Sequence, residues 1–211
     1  QVPFHVRRII ARVVGLPISR VRVIKPRIGG GFGVKQEVLI EDAVAHLVKA
    51  TGRPVRLRFT RQEEFRSSRT RHPQRLKLKT GIKGHGVLHA MSMEVVANTG
   101  AYGSHALTVQ CNTGSKSLPL YRSPNQYFEA KIGYTNLPVA GAFRGYGAPQ
   151  GLFAQEVLLD EIAHEIGIDP IELRRKNLVQ VGDSPPLLEA LGEGKAGFQQ
   201  VILSCEIEEC I

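Results

Sequence analysis

The sequence predicts an α+β fold in which mixed sheets carry packed helices. Three observations lead there. Apolar residues recur at helical spacing in segments 6–14, 40–48 and 158–166. An alternating run from Leu76 is followed by the turn Lys83–Gly86 and a second run, Val87–Asn98, which reads as a β-hairpin. Two glycine-rich stretches, 29–33 and 141–151, each lead into a helix.

Val6, Ile9, Ile10, Val13 and Val14 form the first apolar stripe, with Arg7, Arg8 and Arg12 opposite and Gly15 and Pro17 ending it. Val21–Ile24 and Pro54–Thr60 read as strands. With the helix through Ile40, Ala43, Val44, Leu47 and Val48 between them, they predict a βαβ unit. Thr60 and Glu63 make a capping box for a short helix. In the hairpin, Leu76 and Leu78 face inward and Lys77 and Lys79 outward. Segment 99–119 has little periodicity, and Tyr127–Tyr134 reads as a strand. Leu158, Leu159, Ile162, Ala163 and Ile166 share a helix face. Asp169 and Pro170 supply the N-cap and first turn of the next helix, whose C-terminal end carries Arg174, Arg175 and Lys176. A last helix is expected at Phe198–Cys205.

The 211 residues suffice for one large domain or two small ones. No apolar run approaches the roughly 20 residues of a membrane helix. Cysteines at 111, 205 and 210 give no disulfide or zinc framework, so a reducing cytoplasm is expected. The chain opens on Gln1 and stops at Ile211 without a closing element, which reads as a piece of a longer polypeptide. A net charge of +9 permits nucleic acid, an anionic cofactor or an acidic partner.

The first glycine run, Gly29–Gly33, is neither of two familiar phosphate loops. A P-loop ends in Gly-Lys-Ser/Thr, but here Val34 precedes Lys35 and Gln36 follows. In a dinucleotide fingerprint Gln36 would have to be the third glycine. Two readings remain: a backbone surface that approaches a ligand, or a tight structural turn. In the second run, Arg144 and Tyr146 flank Gly145, and Arg144 is either an anion contact or a solvated side chain. Two such loops suggest one extended anionic ligand gripped from two sides. His85 and His89 lie on a turn and strand, where i and i+4 are roughly 13 Å apart, too far for one metal. Cys111 carries no mark of activation. The basic run Arg66–Lys79 has one aromatic, Phe65, at its edge and reads as a solvated face or subunit contact.

Taken together, "GGGFGVKQ", "TGRPV", "TRHP", "NTGAY", "YTNLP", "GAFRGYGAPQG" and "DPIELRRKNL" resemble, in order, the molybdenum-cofactor-binding subunit or domain of the xanthine dehydrogenase and aldehyde oxidase family. The resemblance runs from the first residues through Gly182. It implies that the fold is part of a larger molybdenum-cofactor-binding domain. It divides the chain into 1–148, the C-terminal portion of a first molybdopterin-binding domain, and 149–211, the start of a second. It implies a molybdenum hydroxylase that oxidises an N-heterocycle (purine-like) or an aldehyde with oxygen derived from water. The cofactor expected is a molybdopterin-type molybdenum centre, in its simple or cytosine dinucleotide form. Iron–sulfur clusters and FAD are expected on partner domains or subunits of an oligomeric enzyme.

The resemblance assigns Gly31, Phe32 and Gly33 to the loop beside the molybdenum, and Arg144 and Gly145 to a second cofactor contact. No residue here is expected to bind the metal directly. Tyr146 falls where family members place an aromatic, often Phe, against the substrate. Gln36 falls where purine-oxidising animal enzymes have Glu; an amide keeps hydrogen bonds but cannot act as acid or base. Near Asn112 those enzymes carry a substrate-orienting arginine, absent here; both departures count against xanthine itself as the substrate. Gly145 stands where carbon monoxide dehydrogenases have a copper-bridging cysteine, which disfavours that activity. The family's general-base glutamate is expected beyond Ile211, and this chain alone is expected to be inactive. The alternative is a non-catalytic, basic nucleic-acid-binding module, whose binding would weaken steeply with salt.

Overall fold

The computed structural model describes residues 1–190 and 200–210. Its centre is a three-stranded sheet in the order β1 (Gln74–Ile82), β2 (Leu88–Asn98), β3 (Asn125–Gly133). β1 and β2 form the expected antiparallel hairpin, with Gln74 opposite Ala97. β3 then pairs parallel to β2, with Ala97 opposite Ile132, so the sheet is mixed. A parallel neighbour needs a crossover, and segment 99–124 supplies it through helix α4 (Ala106–Ser115) and a 3-10 turn at Leu118–Leu120.

The sequence gives no apolar stripe for α4, for a physical reason. Its buried face is Ala106, Val109, Gln110, Thr113 and Gly114, at helical spacing but built mostly from small or polar residues. Close approach takes the place of apolar bulk. Gly147 and Gly151, at the start of helix α5 (Ala148–Ile166), lie against α4 and the residues just after it. A β-carbon on Gly147 would stand 2.9 Å from Thr113 Oγ1, and one on Gly151 would stand 2.8 Å from Ser117 Oγ. Inside the seam, buried Gln155 donates to the Ser117 carbonyl at 3.0 Å.

α5 and helix α6 (Pro170–Asn177) cover the sheet. Met93, Val95, Leu118, Leu159, Ala163 and Leu173 form the main core. Leu159 and Ala163 are buried as expected, whereas Ile166 is exposed. Asp169 caps α6, accepting from the N–H groups of Ile171 and Glu172. Arg174, expected to serve the helix dipole, instead pins α6 to α5 through Glu156 (2.8 Å) and Asp160 (2.7 Å). A smaller core joins α1 (Pro3–Val14) and α2 (Glu41–Thr51) around Val6, Ile10 and Val14. The capping box forms at α3 (Arg61–Ser67).

Two expectations are corrected. Val21–Ile24 and Pro54–Thr60 are extended but pair into no sheet, so no βαβ unit spans α2; the crossover between parallel strands lies later, from β2 to β3. Alternation with arginine marked an extended chain, but a strand also needs a partner edge. Of the helix expected at Phe198–Cys205, residues 198 and 199 lie outside the described residues and 200–205 are not helical. A five-residue helix α7 (Pro186–Ala190) and a 3-10 turn at Ile207–Cys210 complete the described elements. Among the described residues, no helix is long and apolar enough to cross a membrane.

Asn177, the last residue of α6, locks that helix to the hairpin turn. Its Oδ1 accepts from Leu88 N–H, and its Nδ2 donates to the carbonyls of Gly86 and Leu173, each at 2.8 Å. Asn177→Ala leaves these groups buried without partners and is expected to lower the unfolding free energy by about 2–4 kcal/mol. Urea denaturation checks this, and an unchanged midpoint contradicts it.

Candidate functional site

The sheet gathers three chain segments at one end. Residues 69–73 enter β1 there, and residues 99–105 and 134–147 leave the parallel strands β2 and β3 there. An isolated bridge between Thr70 and Ala140 ties the first segment to the third. In open sheets the carboxyl ends of parallel strands are the usual place for a ligand.

The loop with the first glycine run is seated on this end. Gly33 has φ 93°, and a β-carbon on it would lie 2.9 Å from Ala142 C and Phe143 N. Backbone therefore rests on backbone, and only glycine meets both the torsion and the space. The same contact carries Phe32, 66% exposed, toward the second loop, where the Arg144 guanidinium sits 5.6 Å from the Phe32 ring centroid. Arg144 has no ion-pair or hydrogen-bond partner for its guanidinium among the described residues. Gly31 lies on the first loop beside Phe32, and Gly145 (φ 86°) on the second beside Arg144.

Phe32 (φ 49°), His105 (φ 52°) and Tyr146 (φ 50°) are the non-glycine residues in the left-handed region among the described residues. Such strain costs about 1–3 kcal/mol each and concentrates at functional sites. All three lie in this cluster. Tyr146 meets His105 edge to face, and its hydroxyl lies 2.5 Å from His105 Nδ1 and 2.6 Å from Thr108 Oγ1. On the far side of the imidazole, Nε2 faces Glu37 Oε1 at 3.6 Å. Arg69 holds the other Glu37 oxygen at 2.6 Å. Gln36 and Glu37 line a hollow of about 480 Å³ with His5, Ile9, Val38, Ser104 and His105, a volume within the ligand-pocket range.

Arg71 braces the second loop from behind. It donates to the Arg144 carbonyl at 2.7 Å and to Gln150 at 3.3 Å, and it lies 4.9 Å from the centre of the Phe143 ring. Gln150 in turn donates to the His72 carbonyl at 3.1 Å. His72 is 1% exposed, and neither ring nitrogen completes a hydrogen bond. Its pKa is lowered, chiefly by burial and then by His105, while Glu37 and the backbone of Gly141 and Ser104 oppose the shift.

A family model for the molybdopterin cofactor-binding domain matches residues 1–178. The chain belongs to the molybdopterin cofactor-binding domain family. Within that family it is 45% identical to the probable hypoxanthine oxidase XdhD of Escherichia coli K12 over 100% of this chain and 22% of that protein. It is 37% identical to the nicotinate dehydrogenase large molybdopterin subunit of Eubacterium barkeri, over 86% of this chain and 43% of the relative. Among solved structures, the aldehyde oxidoreductase of Desulfovibrio gigas superposes with a TM-score of 0.80 at 35% identity, covering 85% of this chain and 20% of that one. The chain thus spans only part of its relatives' length. None of these findings supports the nucleic-acid alternative.

The residues expected from the sequence lie on two loops that meet at Gly33 and at the Phe32–Arg144 contact: Gly31, Phe32, Gly33 and Gln36 on one, Arg144, Gly145 and Tyr146 on the other. The sequence reading missed Glu37, Arg69, Arg71, His105 and Thr108. Arg69 and Arg71 lie in the basic run read as a solvated face, yet each is bound to one of the two loops. His105 opens a helix whose polar buried face hid it.

His72 links this site to stability. Its folded-state pKa lies below the ordinary 6.5, so the unfolded chain binds the proton more readily. Stability is full above about pH 6.5 and is lost as pH falls from there through the lowered folded value. Thermal unfolding across that window is expected to show a falling midpoint in the wild type and a flatter profile in His72→Phe. Equal slopes contradict the assignment.

Proposed function

We propose that this chain forms part of the cofactor-binding portion of a molybdenum hydroxylase. The enzyme oxidises a carbon of a purine-like nitrogen heterocycle or of an aldehyde, with oxygen derived from water. The single observation that carries the reading is the seating of Gly33 on Ala142–Phe143, which sets Phe32 and the unpaired Arg144 side by side on one exposed surface.

The residues present fit a molybdopterin-type group. An exposed guanidinium without a counter-charge among the described residues suits an anionic cofactor, in its simple or cytosine dinucleotide form. The absence of a side chain at Gly33 lets the first loop pack onto the second, and Arg71 keeps the second loop in place from behind. Bound there, the cofactor would supply the two-electron redox chemistry, and the protein supplies binding and orientation. Gln36 and Tyr146 face the substrate in this reading. The amide offers one acceptor and two donor hydrogens, and the phenol offers a ring face and a hydroxyl. Glu37 is engaged by Arg69 and His105; in this reading the general base is the glutamate that the family resemblance implies outside this chain. Iron–sulfur clusters and FAD belong to partner domains or subunits in this reading, within an oligomeric enzyme.

The test is molybdenum and pterin content in the full-length protein that carries this chain. Arg144→Ala removes an exposed side chain and leaves the fold intact, so a loss of bound cofactor reports the site itself. The expected result is near one molybdenum per wild-type chain and at least about a tenfold weaker hold on the cofactor in the variant, as for a lost charge-assisted contact. Active wild-type protein lacking molybdenum and pterin contradicts the proposal.

A further inference from the structure

The hydroxyl of Tyr146 is hydrogen-bonded to His105, whose other ring nitrogen faces the Glu37 carboxylate. Arg69 Nε donates to Glu37 Oε2 at 2.6 Å, the Tyr146 hydroxyl is hydrogen-bonded to His105 Nδ1 and to Thr108 Oγ1 (2.6 Å), and Glu37 Oε1 faces His105 Nε2 at 3.6 Å, close enough to act on the ring electrostatically but beyond a hydrogen bond. Glu37 Oε1 is buried and completes no hydrogen bond, so it favours a proton on the nitrogen that faces it. With the proton on Nε2, the neutral imidazole leaves Nδ1 as an acceptor. Among the described residues the hydrogen-bond partner of Nδ1 is the Tyr146 hydroxyl, which then donates. The phenol's only proton is then spent on His105, and toward a ligand it offers lone pairs alone.

We propose that His105 is a specificity-determining positioning residue: held by Glu37, it makes Tyr146 a hydrogen-bond acceptor, so the site prefers heterocycles that present a ring N–H. The inference rests on the reading that Tyr146 faces the substrate. Protonation of His105 reverses this bond. Nδ1–H then donates to the Tyr146 oxygen, and the phenol O–H is released toward the ligand or Thr108. Thr108 accommodates either direction, because its own proton has a second acceptor in the His105 carbonyl at 3.3 Å. The charged and titratable groups around His105 are Glu37 on the first loop, Arg69 behind it, His72 before β1, His5 on α1 and Tyr146 on the second loop.

The experiment is equilibrium binding of two isosteric probes, indole and benzofuran, to the cofactor-loaded full-length protein at pH 8.5 and pH 5.5. Indole carries a ring N–H, benzofuran a ring oxygen, and neither titrates in this range. The wild type is expected to bind indole about three- to tenfold more tightly than benzofuran at pH 8.5, the size of one net hydrogen bond. That preference should collapse toward unity at pH 5.5. His105→Asn tolerates the positive φ and keeps a side-chain amide, but it cannot titrate, so its preference should be the same at both values. A preference in the wild type that ignores pH, or one in His105→Asn that still follows it, overturns the inference. Glu37→Gln provides a second route should His105→Asn fail to fold. It is expected to lose the indole preference at pH 8.5, and an unchanged preference likewise overturns the inference. Tyr146→Phe separates the two levels. If it retains the full indole preference, Tyr146 does not face the ligand, and the underlying functional reading fails at that residue.

Discussion

Everything at the site depends on one contact: the backbone of Gly33 resting on the backbone of Ala142 and Phe143. Both loops are anchored elsewhere, the first by the Glu37–Arg69 ion pair and the second by Arg71 and the start of α5. Glu37 also packs against Gly141 at the start of the second run, and the Gly33 contact completes the join. With it, Phe32 and Arg144 become neighbours, and the hollow beside Gln36 gains its floor from Glu37 and His105. Glycine is required because the torsion and the clearance both exclude a side chain.

The strained residues make sense on the same ground. A left-handed Phe, His or Tyr is costly, and each is held by a specific neighbour. Phe32 lies under Arg144, His105 lies between Glu37 and Tyr146, and Tyr146 is held by His105 and Thr108. The scaffold that bears this cost is the sheet and its two covering helices, tied by Asn177 and Arg174. The parallel pairing of β2 and β3 then brings the loops to one end of the sheet.

Much of this was legible in the sequence, and the limits were physical. The hairpin, the capped helices and the two loops carry local signals: alternation, Asp169–Pro170, the Thr60–Glu63 box and glycine runs. The two loops together already suggested one anionic ligand gripped from both sides, and the family resemblance put a molybdopterin-type cofactor in that place. What local patterns could not show was partnership. Val21–Ile24 has a strand's alternation and no strand beside it. α4 has a helix's spacing written in Thr, Gln and Gly, which an apolar pattern cannot register. Arg69 and Arg71 looked like members of a solvated charge run because their partners, Glu37 and the Arg144 carbonyl, are 32 and 73 residues away.

The central claim is that the two loops form one cradle for a molybdopterin-type cofactor. A crystal structure of the cofactor-loaded full-length protein tests it most directly. The account predicts cofactor atoms in van der Waals contact, within about 4 Å, of both the Gly31–Gly33 backbone and the Arg144–Gly145 segment. Cofactor held away from either loop, with the Gly33 contact intact, would contradict it.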